Sequence, residues 1–282
     1  ETAEEPSKKT SSKWRNFFKI LLLFLGTVAV ICTVLFFSII YPALNNIPEL
    51  NGQFAPIVSS RVYDRQGKLI ATLHGEENRI VVPIEQLSPH VWQAFVAAED
   101  IRFFDHGGID PRGLLRAVWI NLTSGELREG GSTITQQFVK NALLSQERTF
   151  VRKIQEAFLS FEVERRYSKM QILGLYMNQI YFGEGAYGIE TASQLYFGKS
   201  AKELTVNEAA VLASIPKNPN AYNPFRDKKG TVGRKNMVLS KMVIAGYLGA
   251  AEEQKLAKDE VMFKSPAKKE EFASYFVDYV LQ

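Results

Sequence analysis

The stretch Glu99-Asp100-Ile101-Arg102-Phe103-Phe104-Asp105-His106-Gly107-Gly108-Ile109-Asp110 gathers acids, a histidine and a double glycine just past an expected helix C-terminus. Carboxylates are disfavoured there, because the helix end already carries partial negative charge, so their placement calls for a reason. A carboxylate beside aromatic rings can have its proton affinity raised toward that of a useful general base. The plainer reading of the same residues is a charged helix end with a structural histidine. A metal site built from His106 and its neighbouring aspartates is disfavoured, since His74 and His90, the other histidines, show no ligand spacing with it.

Two further stretches carry polar chemistry. Gly130-Gly131-Ser132-Thr133-Ile134-Thr135-Gln136-Gln137 runs a glycine pair into hydroxyl and amide side chains at an apparent helix start, a segment that offers donors to an anion or a sugar. It is not a P-loop, because no Gly-Lys-Ser/Thr follows, and a glycine turn before a capped helix is common in its own right. Lys140, Arg148, Arg152 and Lys153 then precede Glu156. Arg152 and Glu156 are spaced for one helix face, where they could form a surface ion pair worth a few tenths of a kcal/mol. A basic lining beside a carboxylate is also what a pyrophosphate leaving group needs.

The elements that must hold these residues are mostly helical. Ser88-Pro89 predicts a helix start, with Val91, Phe95 and Ala98 on one face and an end near Glu99. Asp110-Pro111 repeats the signal, and Leu114, Leu115, Val118, Trp119 and Leu122 form an apolar face that stops at Ser124-Gly125. Another helix carries Val151, Ile154, Phe158 and Phe161. Capping-box patterns at Ser168 with Gln171 and at Thr205 with Glu208 open two more. Gly183-Glu184-Gly185-Ala186-Tyr187-Gly188 reads as a loop, and Ile57 to Leu73 as a β-hairpin around Asp64-Arg65-Gln66-Gly67.

With 282 residues and 46% hydrophobic content, disorder is not the default reading. A net charge of +4 is too small and too evenly spread to argue for nucleic acid, but suits anionic lipid or a phosphorylated substrate. From Ile20 to Leu44 there is no charge, and Ile20 to Ile40 alone would span roughly 30 Å as a helix, about the thickness of a bilayer core. Lys8, Lys9, Lys13, Arg15 and Lys19 precede this run, and Arg61 is the first basic residue after it. The positive-inside rule then expects a single pass with the N-terminus in the cytoplasm and the rest on the outer face. The run is too long for a cleaved signal peptide, and no small-x-small cleavage site follows it. Cys32, the one cysteine, lies inside it, which leaves the outer part with neither a disulfide nor a thiol nucleophile.

Taken together, the three polar stretches resemble the signature motifs of glycosyltransferase family 51, the peptidoglycan glycosyltransferase domain of class A penicillin-binding proteins and monofunctional transglycosylases. Tyr176-Met177-Asn178-Gln179-Ile180-Tyr181-Phe182-Gly183, Gly185-Ala186-Tyr187-Gly188-Ile189 and Tyr196-Phe197-Gly198-Lys199 are similar to its fourth block. Leu204 to Pro224, with Glu208-Ala209-Ala210, Leu212-Ala213, Pro216, Pro219 and Tyr222-Asn223-Pro224, is similar to its fifth. The likeness covers roughly residues 57 to 245, in the family's order. Its clearest departure is Thr191, where alanine is more usual.

The resemblance implies a mainly α fold: a lysozyme-like helical head with a small membrane-associated jaw, a short β-hairpin and one N-terminal transmembrane helix. It implies polymerisation of lipid II onto a growing glycan strand, with β-1,4 linkage, inversion at the anomeric carbon and release of polyprenyl pyrophosphate. Glu99 matches the glutamate expected to act as base on the acceptor 4-hydroxyl, and Glu156 a second catalytic glutamate of less settled role. Lys140, Arg148 and Arg152 match positions that contact donor phosphates. Ser132, Gln136 and Gln137 match cleft-lining positions, Asn178 matches a further substrate-binding position, and Asp100, Phe104 and His106 shape the first motif. No cofactor is expected to be required, although a divalent cation at the pyrophosphate is compatible. The implied partners are lipid II, the glycan strand, membrane lipid, moenomycin-type inhibitors and unidentified cell-wall synthesis proteins, with no nucleic acid.

The expected organisation is a basic cytoplasmic leader over 1–19, a transmembrane helix over 20–44, the glycosyltransferase domain over 45–250, and a helical segment over 251–282 that begins a linker. Phe272-Ala273-Ser274-Tyr275-Phe276-Val277-Asp278-Tyr279-Val280 resembles the start of the family's linker to a transpeptidase domain, and a first residue other than Met suggests a piece of a longer product. Ser214 with Lys217 and Ser265 with Lys268 have Ser-x-x-Lys spacing but no Ser-Asp-Asn or Lys-Thr-Gly after them, so no penicillin binding is expected of this piece. The rival readings are a lysozyme-like glycan-cleaving enzyme and a noncatalytic membrane-tethered scaffold. A cleaving enzyme has no pyrophosphate to neutralise and would leave the basic set without a purpose.

Overall fold

The computed structural model describes residues 9–48, 60–63, 65–66, 69–73, 78–126, 130–145, 147 and 149–264. Among them the architecture is mainly helical, and the chain divides into two compact units, Glu1–Glu49 with Glu147–Gln155 and Leu50–Gln146 with Glu156–Gln282.

The first unit is built on α1 (Lys9–Leu35), a π-helical turn (Phe36–Ile40) and α2 (Tyr41–Asn45). Pro42 accounts for the interruption: it lacks an N–H, and in a regular helix its ring would crowd the carbonyl of Ser38. Trp14–Asn45 has a mean hydropathy of 2.9 over its most apolar window, none of which is buried, so this helix is long and apolar enough to cross a membrane. Its hydroxyls are satisfied internally, Thr27 donating to the Leu23 carbonyl and Thr33 to that of Ala29, as a lipid environment demands. Gln155 Nε2 donates to the carbonyls of Ala43 and Asn46 at 3.2 and 3.0 Å and ties the end of the span to the rest of this unit.

In the second unit, β1 (Ser60–Tyr63) and β2 (Leu69–Leu73) form the expected antiparallel hairpin, with an irregularity at Val62/Tyr63. The loop expected at Gly183 to Gly188 contains β4 (Ala186–Tyr187), which pairs in parallel with β3 (Asn78–Arg79). Next to this pairing Thr191 is buried, and its Oγ1 accepts the Ile80 N–H at 3.0 Å. The residue that departs from the family pattern thus supplies a partner to a backbone donor.

The helices are α3 (Pro89–Glu99), α4 (Pro111–Ser124), α5 (Ile134–Leu143), α6 (Phe150–Arg166), α7 (Lys169–Gln179), α8 (Ile189–Tyr196), α9 (Val206–Ser214), α10 (Lys228–Ile244) and α11 (Ala250–Lys258). Capping boxes at Ser168/Gln171 and Thr205/Glu208 open α7 and α9, and Gly125 ends α4 in the left-handed conformation with φ 68°. The core forms where α3 packs on α9 and α10, and where α5 packs on α7. Alanines 209, 210 and 213 are buried and keep α9 thin where it packs on α3 and α10.

Two apolar stripes do not join that core. On α4, Leu114, Leu115, Val118, Trp119 and Leu122 are 48 to 76% exposed, and the buried positions are Gly113 and Ala117. On α6, Phe158 and Phe161 are exposed while Glu156, Leu159, Ser160 and Val163 are buried, so the inward face is not the aromatic one that the sequence pattern marks.

Candidate active site

The acids at the end of α3 find their partners on α5. Asp100 caps α3, and its Oδ2 accepts the N–H of Ile134, the first residue of α5, at 3.1 Å. The carboxylate thus bridges the negative end of one helix to the positive end of another, which resolves its unfavourable position. His106 Nε2 lies 3.0 and 3.1 Å from the two Asp100 oxygens, and the imidazole stands edge-on to Phe103. Its Nδ1 is buried with no hydrogen-bond partner among the described residues.

Glu99 is half-buried, and its Oε2 accepts a hydrogen bond from Gln137 Nε2 at 2.9 Å. On the other side of that amide, Gln137 Oε1 lies 3.5 Å from the hydroxyl of Tyr176 on α7. Tyr176 is fully buried, and burial, reinforced by the nearby Glu99 and Asp100, pushes its phenol well above the ordinary range. Lys241 on α10 donates to the Ala98 carbonyl at 2.6 Å, placing a cation at the C-terminal end of α3. Neither Tyr176 nor Lys241 is assigned a role by sequence reasoning; Tyr176 stands inside a quoted motif, whereas nothing in the sequence marks Lys241.

The glycine-rich stretch is organised by Thr133. Its hydroxyl donates to the Gly108 carbonyl and accepts the Gln136 N–H, while Gln136 Oε1 takes the Thr133 N–H to complete a capping box. Gly108 has φ 66°, and a Cβ there would come within 3.1 Å of the Ser160 backbone, so only glycine fits between this loop and α6.

Two of the expected cleft residues make hydrogen bonds inside the protein. Gln136 is buried, and its side-chain carbonyl is consumed in capping α5. Asn178 is buried as well: it exchanges hydrogen bonds with the Val82 N–H and carbonyl and donates to the Gly174 carbonyl, which staples α7 to the segment before α3. In each case a buried amide spends donors or acceptors inside the protein.

Ser132 and Lys140 are partly exposed, Lys140 on the last turn of α5, and Phe104 is 42% exposed with its ring edge-on to Trp92 and Phe103. Glu156 is 1% exposed, which removes the reading of it as an acid on a solvated helix face. Arg152 belongs to the first unit, on the first turn of α6, where its N–H donates to Thr149 Oγ1. Arg148 lies outside the described residues.

Ligand atoms of Asp100, His106 and Asp110 come within 4.8 Å of one another, yet both Asp110 oxygens accept from Arg102 Nη2 and Asp100 is occupied by His106 and Ile134. The arrangement reads as a hydrogen-bonded network that braces the loop after Glu99.

A half-buried carboxylate held by an amide stands at the end of α3, and residues 66–243 match the family model described as Transglycosylase. The chain belongs to this family and carries a peptidoglycan glycosyltransferase domain of the class A penicillin-binding-protein kind. It is 42% identical over 264 residues to penicillin-binding protein 1A of Aquifex aeolicus, covering 93% of this chain and 36% of that protein. Penicillin-binding protein 1A of Escherichia coli is 46% identical over 68% of this chain and 22% of its own length, and penicillin-binding protein 1F of Bacillus subtilis 45% identical over 69% and 27%. The chain therefore spans little more than a third, or less, of these relatives. The crystal structure of Haemophilus influenzae penicillin-binding protein 1A aligns over 80% of this chain and 24% of its own with a TM-score of 0.44 and 26% identity.

Proposed function

We propose that the protein polymerises lipid II on the outer face of the cytoplasmic membrane, with Glu99 as the general base. The observation that carries this reading is the Glu99 carboxylate, half-buried and oriented by Gln137, at the end of α3. Glu99 takes the proton of the acceptor 4-hydroxyl, the oxygen forms a β-1,4 bond to the donor anomeric carbon with inversion, and the bond from that carbon to the pyrophosphate breaks. Lys140, Arg148 and Arg152 neutralise the departing pyrophosphate, which fixed cations can do without proton transfer. Glu156 organises these cations from within the protein. No metal is required by this scheme, and a divalent cation would act only as a further counter-charge. Ser132 lines the cleft, and moenomycin-type phosphoglycolipids compete on the donor side.

The span Trp14–Asn45 anchors the chain in a single pass with its N-terminus inside, and the exposed stripe of α4 contacts lipid where the substrate's polyprenyl chain resides. Incubating the purified chain with labelled lipid II and resolving the products tests the reading. Glycan polymer and released polyprenyl pyrophosphate are expected; cleavage of preformed glycan with no polymer would overturn it.

A further inference from the structure

Resting on the reading of Glu99 as the base, we infer that Tyr176 is a positioning residue for catalysis, acting through the Gln137 amide to fix which oxygen of Glu99 faces the substrate. The three groups form a line from the core outward, Tyr176 hydroxyl to Gln137 Oε1 at 3.5 Å and Gln137 Nε2 to Glu99 Oε2 at 2.9 Å.

A primary amide can rotate by half a turn at little steric cost and then offers an acceptor where it offered a donor. Against a carboxylate the rotated form is repulsive, because both groups would present oxygen. Tyr176 removes that freedom from behind. Its hydroxyl is wholly buried, and Gln137 is the hydrogen-bond partner it has among the described residues, so satisfying the phenol and orienting the amide are one event. The phenol also keeps its proton at any working pH, since burial and then the charges of Glu99 and Asp100 disfavour its ionised form. The hydroxyl could accept from a rotated amide, but its own buried O–H would then lose the acceptor it has among the described residues, so the form that turns its N–H toward Glu99 is favoured. Glu99 Oε2 is committed to Gln137, and Oε1 is left to meet the acceptor hydroxyl. The ring of Tyr176 belongs to the core between α5 and α7, whereas its hydroxyl serves the site.

The test compares Tyr176→Phe, Gln137→Met and the double variant with the parent for lipid II polymerisation, alongside thermal unfolding. Tyr176→Phe should lower kcat by about tenfold, on the scale that misplacement of a reacting group produces, with KM unchanged. Gln137→Met should lower kcat at least as much, and the double variant should match Gln137→Met alone, because the hydroxyl acts only through the amide. Parental kcat in Tyr176→Phe, a loss confined to KM, or a double variant whose loss is the product of the two single losses would each overturn the inference. If Tyr176→Phe unfolds, Gln137→Met decides alone, and a parental kcat overturns it. Glu99→Gln run beside them separates the two levels: parental turnover there defeats the assignment of the base, whereas an inactive Glu99→Gln with a parental Tyr176→Phe defeats only the relay.

Discussion

Asp100 Oδ2 accepts the backbone N–H of Ile134 at 3.1 Å, so the carboxylate that closes α3 also opens α5. One side chain thereby joins residues far apart in the chain at the point where the candidate base emerges. Asp100→Asn keeps the shape but loses the charge that both His106 and the helix N-terminus favour. We expect it to lower stability by about 1–3 kcal/mol in denaturant unfolding and to slow polymerisation as Glu99 loses its footing. Unchanged stability would show that the contact is incidental.

Glu99→Gln keeps the size of the side chain and removes the base. Turnover of lipid II should fall by about two to four orders of magnitude, with the unfolding midpoint close to that of the parent. Parental turnover would require another base.

Arg152→Ala removes a cation from the set assigned to the pyrophosphate, which should weaken binding of labelled moenomycin by about ten- to a hundredfold, the equivalent of roughly 1.5–3 kcal/mol. Glu156→Gln should slow polymerisation more than it weakens the inhibitor, because its effect passes through neighbouring cations. Equal affinities and rates in both variants would take both residues out of the donor site.

The Arg102–Asp110 pair has a pH signature. Burial of Asp110 favours its neutral form, but the Gly113 backbone N–H and Arg102 outweigh it and hold the carboxyl below its usual value. A lowered pKa in the folded state means that the pair stabilises fully above the unfolded carboxylate range, and that the contribution is lost as pH falls through the folded value. Arg102→Ala should therefore destabilise the protein by about 1.5–3 kcal/mol at neutral pH and by progressively less below about pH 4. A difference from the parent that stays constant down to about pH 2 would contradict this.

The apolar stripe of α4 should hold the folded domain on lipid even without its anchor. A chain lacking the residues before about 45 is expected to co-sediment with liposomes, and replacing Trp119 and Leu122 with serine should release it. A folded, truncated chain that stays in the supernatant would remove the stripe from the membrane.

Much of the helical framework was legible in the sequence because its signals are local. Ser88-Pro89, Asp110-Pro111, Gly125 and the boxes at Ser168 and Thr205 each act within one turn of where they stand. What escaped depends on distant partners. Gln136 and Gln137 are identical neighbours in the sequence, yet one caps its own helix and the other reaches Glu99, and only the packing of α3 against α5 tells them apart. The partner of Asn178, Val82, likewise comes from another part of the chain, so its hydrogen bonds leave no local signal. The periodicity of α4 located an apolar face but could not say that the face turns outward, since the pattern is the same for core and for lipid.

Thr133 joins the loop at Gly108 to the start of α5 with one hydroxyl that both gives and receives. Two motifs separated along the chain are thereby soldered into a single part, and that constrains how the domain can be exchanged between relatives. A chimera whose crossover falls between Gly108 and Thr133 inherits the two halves of this joint from different parents and succeeds only where both kept the same fittings. Crossovers placed before α3 or after α5 carry the joint across whole, which makes the segment from Pro89 to Leu143 the natural cassette to exchange as one part.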